Sequence, residues 1–173
     1  FISSGLRMEL LRKTPELLRK IIAYHTPGAL KIAPEHTEKE VLRLMHKEDF
    51  RELELFVTAC KKAFHANKKQ LQINPYIISA HPGCNEKHTL KMIDKLKRLG
   101  LTVRGFQDFT PTPGSISTAM YYSGLDRDSR QRISIPDDSS RKKQRRFLER
   151  AFFKSSLVAH KSQQQVRKRT KRK

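Results

Sequence analysis

Two short stretches place polar, chemically competent side chains where an apolar run stops. In Ile73-Asn74-Pro75-Tyr76-Ile77-Ile78-Ser79-Ala80-His81-Pro82-Gly83-Cys84-Asn85, apolar and β-branched residues end at Ser79, His81 and Gly83. A segment of helical hydrophobic period follows at once. The same pattern recurs at Leu30-Lys31-Ile32-Ala33-Pro34-Glu35-His36-Thr37. In α/β folds ligands bind at the carboxyl ends of parallel strands, so Glu35, Ser79 and His81 stand where chemistry is done. Alternate residues of a strand share a face. Lys31, Ala33 and Glu35 therefore point one way, and Ile32 and Pro34 the other. Burying an unpaired charge is costly, so Lys31 and Glu35 are expected to face a polar cleft, as a mutual ion pair or against a ligand. Ser79 and His81 share one face of the later strand, and Asn74, Tyr76, Ile78 and Ala80 the other. His81, held before Pro82-Gly83, either bonds a ligand or caps backbone groups. Glu35 and His36 are adjacent and face opposite ways, which makes them a poor metal pair.

The elements that must position these residues are legible along residues 1–124. Phe1-Ile2-Ser3-Ser4 reads as the end of a strand broken by Gly5. Thr14-Pro15-Glu16 reads as a helix start, with Pro at the first helical position and an acid near the positive end of the dipole. Thr37 and Glu40 have the spacing of a capping box, ahead of Val41, Leu42, Leu44 and Met45. A helix over residues 50–66 carries Leu53, Phe56, Val57, Cys60 and Phe64 on one side. Asn85 caps a helix bearing Leu90, Ile93, Leu96 and Leu99, closed by Gly100. A last strand covers residues 102–109. Strands alternating with helices imply crossover connections and a parallel sheet, either open or part of a barrel.

The 173 residues could build one domain with a sizeable core, yet apolar residues make up only 36%. The deficit lies beyond residue 125. Residues 141–173 carry fourteen Lys or Arg against Glu149 alone, whereas the preceding 140 residues hold 23 basic and 16 acidic groups. The net charge of +20 is thus concentrated at one end. Residues 126–132 read as a charged loop or arm. Residues 141–159 read as a basic helix with Phe147, Leu148, Phe152 and Phe153 on one face, and residues 163–173 as disordered. Such a cationic extension either contacts RNA or DNA through phosphates without base specificity or stays solvated. No run approaches the ~20 apolar residues of a membrane span. Cys60 reads as a buried, inert thiol, and Cys84 as a turn residue whose pKa the following helix could lower. Two isolated cysteines suggest neither a disulfide framework nor a metal knuckle and fit a reducing cytoplasm. No Walker loop, dinucleotide fingerprint or nucleophile elbow is present. The chain begins at Phe1 inside a strand-like segment, so a piece of a longer polypeptide is expected.

Several of these segments, taken in order, resemble the YgiQ-type family of radical S-adenosylmethionine (SAM) proteins. They are Phe1-Ile2-Ser3-Ser4-Gly5-Leu6-Arg7, Lys31 through Thr37, Leu42-Arg43-Leu44-Met45-His46-Lys47, Pro75 through Gly83, Gln107 through Gly114, and Thr118 through Gly124. A fainter likeness to radical methylthiotransferases lies at the same strand ends. The likeness covers roughly residues 1–125, and the region beyond fits the family less well. It implies an α/β fold, the C-terminal part of a partial (β/α)6, TIM-like radical SAM barrel with parallel strands, followed by a basic extension over residues 126–173. It further implies S-adenosylmethionine and a [4Fe–4S] cluster as cofactors, yielding a 5′-deoxyadenosyl radical that abstracts hydrogen from a substrate. The superfamily holds its cluster on a Cys-x3-Cys-x2-Cys loop. No such loop occurs here, so the cluster ligands are expected in a missing N-terminal half, and this fragment alone is expected to be inactive. By position, the residues implied to line the SAM pocket are Ser3, Ser4, Arg7, Glu35, Ser79, His81 and Gly83. The reading from another class is a basic α/β module that binds nucleic acid.

Overall fold

In a computed structural model the described residues are 5–26, 28–67, 70 and 72–153. The element order is α1 (Met8–Lys13), α2 (Pro15–Lys20), a π-helical turn (Ile21–His25), β1 (Leu30–Glu35), α3 (Lys39–Leu44), α4 (Phe50–Ala66), β2 (Ile73–Ser79), α5 (Glu86–Arg98), β3 (Phe106–Asp108), α6 (Ile116–Ser123) and α7 (Asp138–Phe152). The three strands form a parallel sheet in the order β1-β2-β3, with Leu30 opposite Ile73 and Ser79 opposite Asp108. On the other side of β1, Leu6 makes a parallel bridge to Ile32. The α/β class and parallel pairing therefore match the alternating pattern, and the sheet is compatible with part of a TIM-like fold.

One face of the sheet is dry. Leu30, Ile32, Ile73 and Ile77 are buried against Leu53, Phe56, Val57 and Cys60 of α4 and Met92, Ile93 and Leu96 of α5 in a single core. Leu148 and Phe152 of α7 belong to that same core. Fully burying one such side chain is worth about 1.5–3 kcal/mol relative to leaving it in water. The basic helix is thus docked through its apolar stripe.

The caps show where local rules win. Asn85 accepts from the His88 N–H at 3.0 Å and the His88 ring accepts from the Asn85 N–H, a capping box that starts α5. Gly100, at φ 73°, ends it as expected. The box expected from Thr37 and Glu40 does not form. Helix α3 starts at Lys39, and the Thr37 hydroxyl donates to the Glu38 carboxylate at 3.2 Å. Thr14 precedes Pro15 as expected, but its hydroxyl bonds back to the Leu10 carbonyl of α1 instead of capping α2. The last strand is three residues long because Leu101 and Val103 enter the core before pairing begins. Helix α7 spans Asp138–Phe152 and is capped by Asp137, which accepts from the Ser140 N–H at 2.7 Å. The segment expected to be disordered, residues 163–173, lies outside the described residues. Among the described residues no helix is long and apolar enough to cross a membrane.

Gly83 is required twice over. Its φ is 82°, and a Cβ there would lie 2.2 Å from Leu44 Cδ1. Gly83→Ala is expected to cost about 2–4 kcal/mol, combining left-handed strain with overpacking. Urea unfolding of Gly83→Ala, Leu44→Ala and the double variant checks this. The double variant should cost less than the sum of the two singles, and strict additivity would rule out the collision as the cause.

Candidate functional site

The other face of the sheet is open. Lys31, Ala33 and Glu35 of β1 and Asn74 and Tyr76 of β2 line a cleft of about 530 Å³, closed at one side by Arg104. Lys31 and Glu35 are the β1 residues expected to face a polar interior, whereas on β2 the cleft takes the face of Asn74 and Tyr76 and not that of Ser79 and His81. The predicted Lys31–Glu35 pair is not formed. Glu35 instead meets Lys47 at 3.0 Å, and the same ammonium reaches the Ala33 carbonyl at 3.5 Å. Four residues along a strand, about 13 Å, is too long a gap for a Lys and a Glu to close when a lysine beyond α3 stands nearer. Lys31 has no ionic partner among the described residues. The Tyr76 hydroxyl bonds Gln107 Oε1, and the Arg104 N–H donates to Asn74 Oδ1 at 3.2 Å.

Glu35 ends β1 at φ 62°, and Ala80 follows β2 at φ 55°. Both are left-handed, uncommon for residues with a Cβ. Each is followed by a buried histidine, so the repeat seen in the sequence is a repeated backbone device. The kink sends His36 and His81 away from the cleft and into a polar cluster under α5, α6 and α7.

In that cluster every group has a protein partner. His36, 1% exposed, accepts from the Glu38 N–H at Nδ1 (3.0 Å), so its proton sits on Nε2, 3.5 Å from the Cys84 sulfur. His81, 2% exposed, has the opposite tautomer. Its Nδ1 donates to the Pro82 carbonyl at 2.8 Å, and its Nε2 accepts from the Ser117 hydroxyl at 2.8 Å. Burial pushes the His36 pKa down to about 3, helped by neighbouring His88, His81 and Lys95. Burial likewise lowers His81, against the pull of the Pro82 carbonyl. Both rings are therefore neutral near pH 7. Gln144 of α7 is fully buried, and its carboxamide oxygen accepts from the Ala80 N–H and the Thr89 hydroxyl at 3.0 Å each. The Cys84 thiol donates to the same oxygen at 3.3 Å. Ser79 donates to Asp108 Oδ1 at 2.5 Å, and Arg145 meets Asp108 Oδ2 at 2.7 Å.

The helix start after Cys84 does not activate its thiol, contrary to one expectation. Burial pushes Cys84 up to about 12, outweighing the Thr89 and Ala80 hydrogen bonds that pull it down. Cys60 is pushed up to about 12 by burial alone, as its place on the α4 face suggested. Among the described residues no three His, Cys, Asp or Glu side chains gather as a metal site. Two buried, protonated thiols on separate elements do not fit a [4Fe–4S] cluster.

Of the residues implied by the family resemblance, Glu35 lies in the cleft. Ser79, His81 and Gly83 lie together behind it, internally bonded, with the Gly83 N–H donating to the Ser134 carbonyl at 2.7 Å. Arg7 is on the surface beside Glu9 (2.6 Å) and Glu48 (3.6 Å). Ser3 and Ser4 lie outside the described residues. The charged loop over residues 126–132 is anchored, because buried Asp126 meets Arg43 at 2.6 Å. That bond first, then the Asp128 N–H and the Ser129 hydroxyl, hold the carboxyl well below the usual carboxylate range. Sequence reading missed Ser117, Asp108 and Gln144. Gln144 had a signal, as the polar member of the i, i+4, i+8 stripe that Leu148 and Phe152 continue.

The neutral state of His36 predicts acid lability. An unfolded histidine takes up its proton near pH 6.5, whereas folded His36 resists until about 3. Its contribution is complete above about 6.5 and is lost progressively as pH falls towards 3. The loss is up to about 1.4 kcal/mol per pH unit. Asn keeps an acceptor for the Glu38 N–H without titrating. Unfolding free energies of His36→Asn between about pH 6 and about pH 4 should therefore show a shallower slope, and equal slopes would remove His36 as the cause.

A family model described as "Domain of unknown function (DUF3362)" matches residues 105–157. The family likeness therefore continues past residue 125, where it was expected to weaken, and takes in α7. A UPF0313 protein of Geobacter sulfurreducens is 37% identical over 147 residues, which is 85% of this chain and 24% of that protein. One from Clostridium botulinum (strain Okra / Type B1) is 38% identical over 153 residues, covering 86% of the chain and 23% of its own length. One from Bacteroides thetaiotaomicron is 35% identical over 163 residues, with 88% and 26% covered. The chain thus spans about a quarter of the length of the curated relatives it matches. It belongs to the UPF0313, or YgiQ, family.

Proposed function

We propose that this chain is the cofactor-facing wall of a radical SAM enzyme, with the open face of its sheet turned to S-adenosylmethionine and substrate. The observation that carries the reading is the cleft itself, in which charged and polar side chains of parallel strands occupy the face that helices leave free. Its donor set suits the amino-acid end of that cofactor. The Lys31 ammonium can receive a carboxylate, and the Glu35 carboxylate, shared with Lys47, can receive an ammonium. When bound and reductively cleaved, S-adenosylmethionine supplies a radical able to abstract hydrogen from substrate. The roles of this chain's own residues are to bind and orient. Glu35 is held by the kinked end of β1, and the Tyr76–Gln107 bond stiffens the cleft floor across β2 and β3. Ser79, His81 and Gly83 set the turn behind it. The cysteines present do not fit a cluster, so in this proposal the cluster is bound by another part of a polypeptide of the relatives' length.

The full-length protein tests the reading. Anaerobic reconstitution with iron and sulfide should give the visible and EPR signals of [4Fe–4S] and release 5′-deoxyadenosine from S-adenosylmethionine. Absence of both would end the enzyme reading. By calorimetry, Glu35→Ala should weaken S-adenosylmethionine binding about tenfold or more with an unchanged melting temperature. His81→Ala should lower affinity and stability together, because it frees the Ser117 hydroxyl and the Pro82 carbonyl. Unchanged affinity in Glu35→Ala would remove the cleft from the cofactor site.

A further inference from the structure

Helices α5 and α7 lie side by side and run the same way. Near their starts Lys143 meets Glu86 at 3.5 Å, and near their ends the Lys97 ammonium stands 6.0 Å from the centre of the Phe152 ring. Each turns its apolar stripe into the core, through Met92, Ile93 and Leu96 on α5 and Leu148 and Phe152 on α7. What each turns outward is basic. On α5 the exposed stripe is Lys87, Lys91 and Arg98, at i, i+4 and i+11. On α7 it is Lys142, Arg146 and Arg150, at i, i+4 and i+8. None of these six has an ionic partner among the described residues. Four residues of helix rise about 6 Å, so cations recur at about that interval along α7, whereas on α5 Arg98 stands about 10 Å beyond Lys91 with Asp94 between them. The acids on the same side are Glu86, engaged by Lys143, Glu149, engaged by Arg145, and Asp94 and Asp138, for which no ion pair is found among the described residues. Residues 154–173, which follow α7, add eight Lys or Arg and no acid.

We infer that the outer face of α5 and α7 is a binding surface for the phosphodiester backbone of a nucleic acid, read without base specificity. Three features favour this partner. The six cations have no ion-pair partner among the described residues and stand in two adjacent rows, which suits a polymer of closely spaced anions. A membrane-surface helix needs an outward apolar face, and Leu90 is the one exposed large apolar side chain on these two helices. A protein-docking patch is centred on well-buried aromatic or arginine anchors, and here Phe147, Phe152 and Phe153 are turned towards the core while Arg98, Arg146 and Arg150 stand exposed to solvent. The surface is separate from the sheet cleft, so the inference stands or falls independently of the enzyme reading.

The test uses the full chain, with residues 154–173 retained in every variant. Fluorescence anisotropy measures its affinity for labelled single-stranded RNA and duplex DNA across a salt series from about 50 to about 200 mM. The combined variant Lys87→Gln, Lys91→Gln, Lys142→Gln and Arg146→Gln should bind at least about tenfold more weakly. Its salt slope should be shallower by about 3, at about 0.7–0.9 for each phosphate no longer neutralised. Asp94→Lys should bind several-fold more tightly. The two probes separate a preference for RNA from one for DNA, and either result supports the surface. Absence of binding by the parent chain at low salt overturns the inference. So does unchanged affinity in a combined variant whose circular dichroism melt matches the parent, since residues 154–173 would then act alone. Tighter binding to phosphatidylserine vesicles than to either nucleic acid overturns it in favour of a membrane surface.

Discussion

The two-residue period of side chains along β1 and β2 is the constraint on which the molecule depends. Leu30, Ile32, Ile73 and Ile77 need one dry face, and that need decides where Lys31, Glu35, Asn74 and Tyr76 must go. Helices cover one side only, so the opposite side becomes a cleft lined by polar groups without any further device. A slip of one residue in the pairing would bury Lys31 and Glu35 and expose the isoleucines. The register is therefore strongly specified, and the position of the cleft is specified with it.

At the strand ends a second rule takes over. Left-handed Glu35 and Ala80 break the alternation and turn the following histidines to the helix side. There desolvation decides the charge states. His36 and His81 stay neutral and the Cys84 thiol stays protonated, although a helix begins just beyond it. Asp126, as inaccessible to water but held in a loop at the surface, shows the contrary outcome. It remains ionised because a guanidinium, an N–H and a hydroxyl all converge on its carboxylate. Burial neutralises a group here unless donors or opposite charge are brought to it.

The elements with strong hydrophobic period were legible from the sequence. Helix α4 falls on residues 50–66 as read, and Asn85 and Gly100 bracket α5 because both carry local, self-contained capping chemistry. The Thr37 box failed because Glu38 competes for the Thr37 hydroxyl, a choice made by tertiary surroundings that place Lys95 2.9 Å from Glu38. The cleft was legible through β1, whose charged and apolar residues alternate plainly. The pairing of Glu35 with Lys47 was not, since it depends on how α3 returns to the strand. Ser117 and Gln144 reach their partners across 36 and 64 positions of the chain, to His81 and Ala80, a separation at which pattern carries no information.

Gln144 draws its donors from Ala80 and Thr89 but belongs to the region matched by the DUF3362 model. A chain cut between α6 and α7 would remove the acceptor of the Ala80 N–H, leave the Thr89 hydroxyl with the Asn85 carbonyl alone of its two oxygen acceptors, and open to water the core that Leu148 and Phe152 cover. The two segments therefore depend on each other for their packing. Recombination that exchanged one of them for an unrelated module would have to carry a substitute carbonyl into the same place.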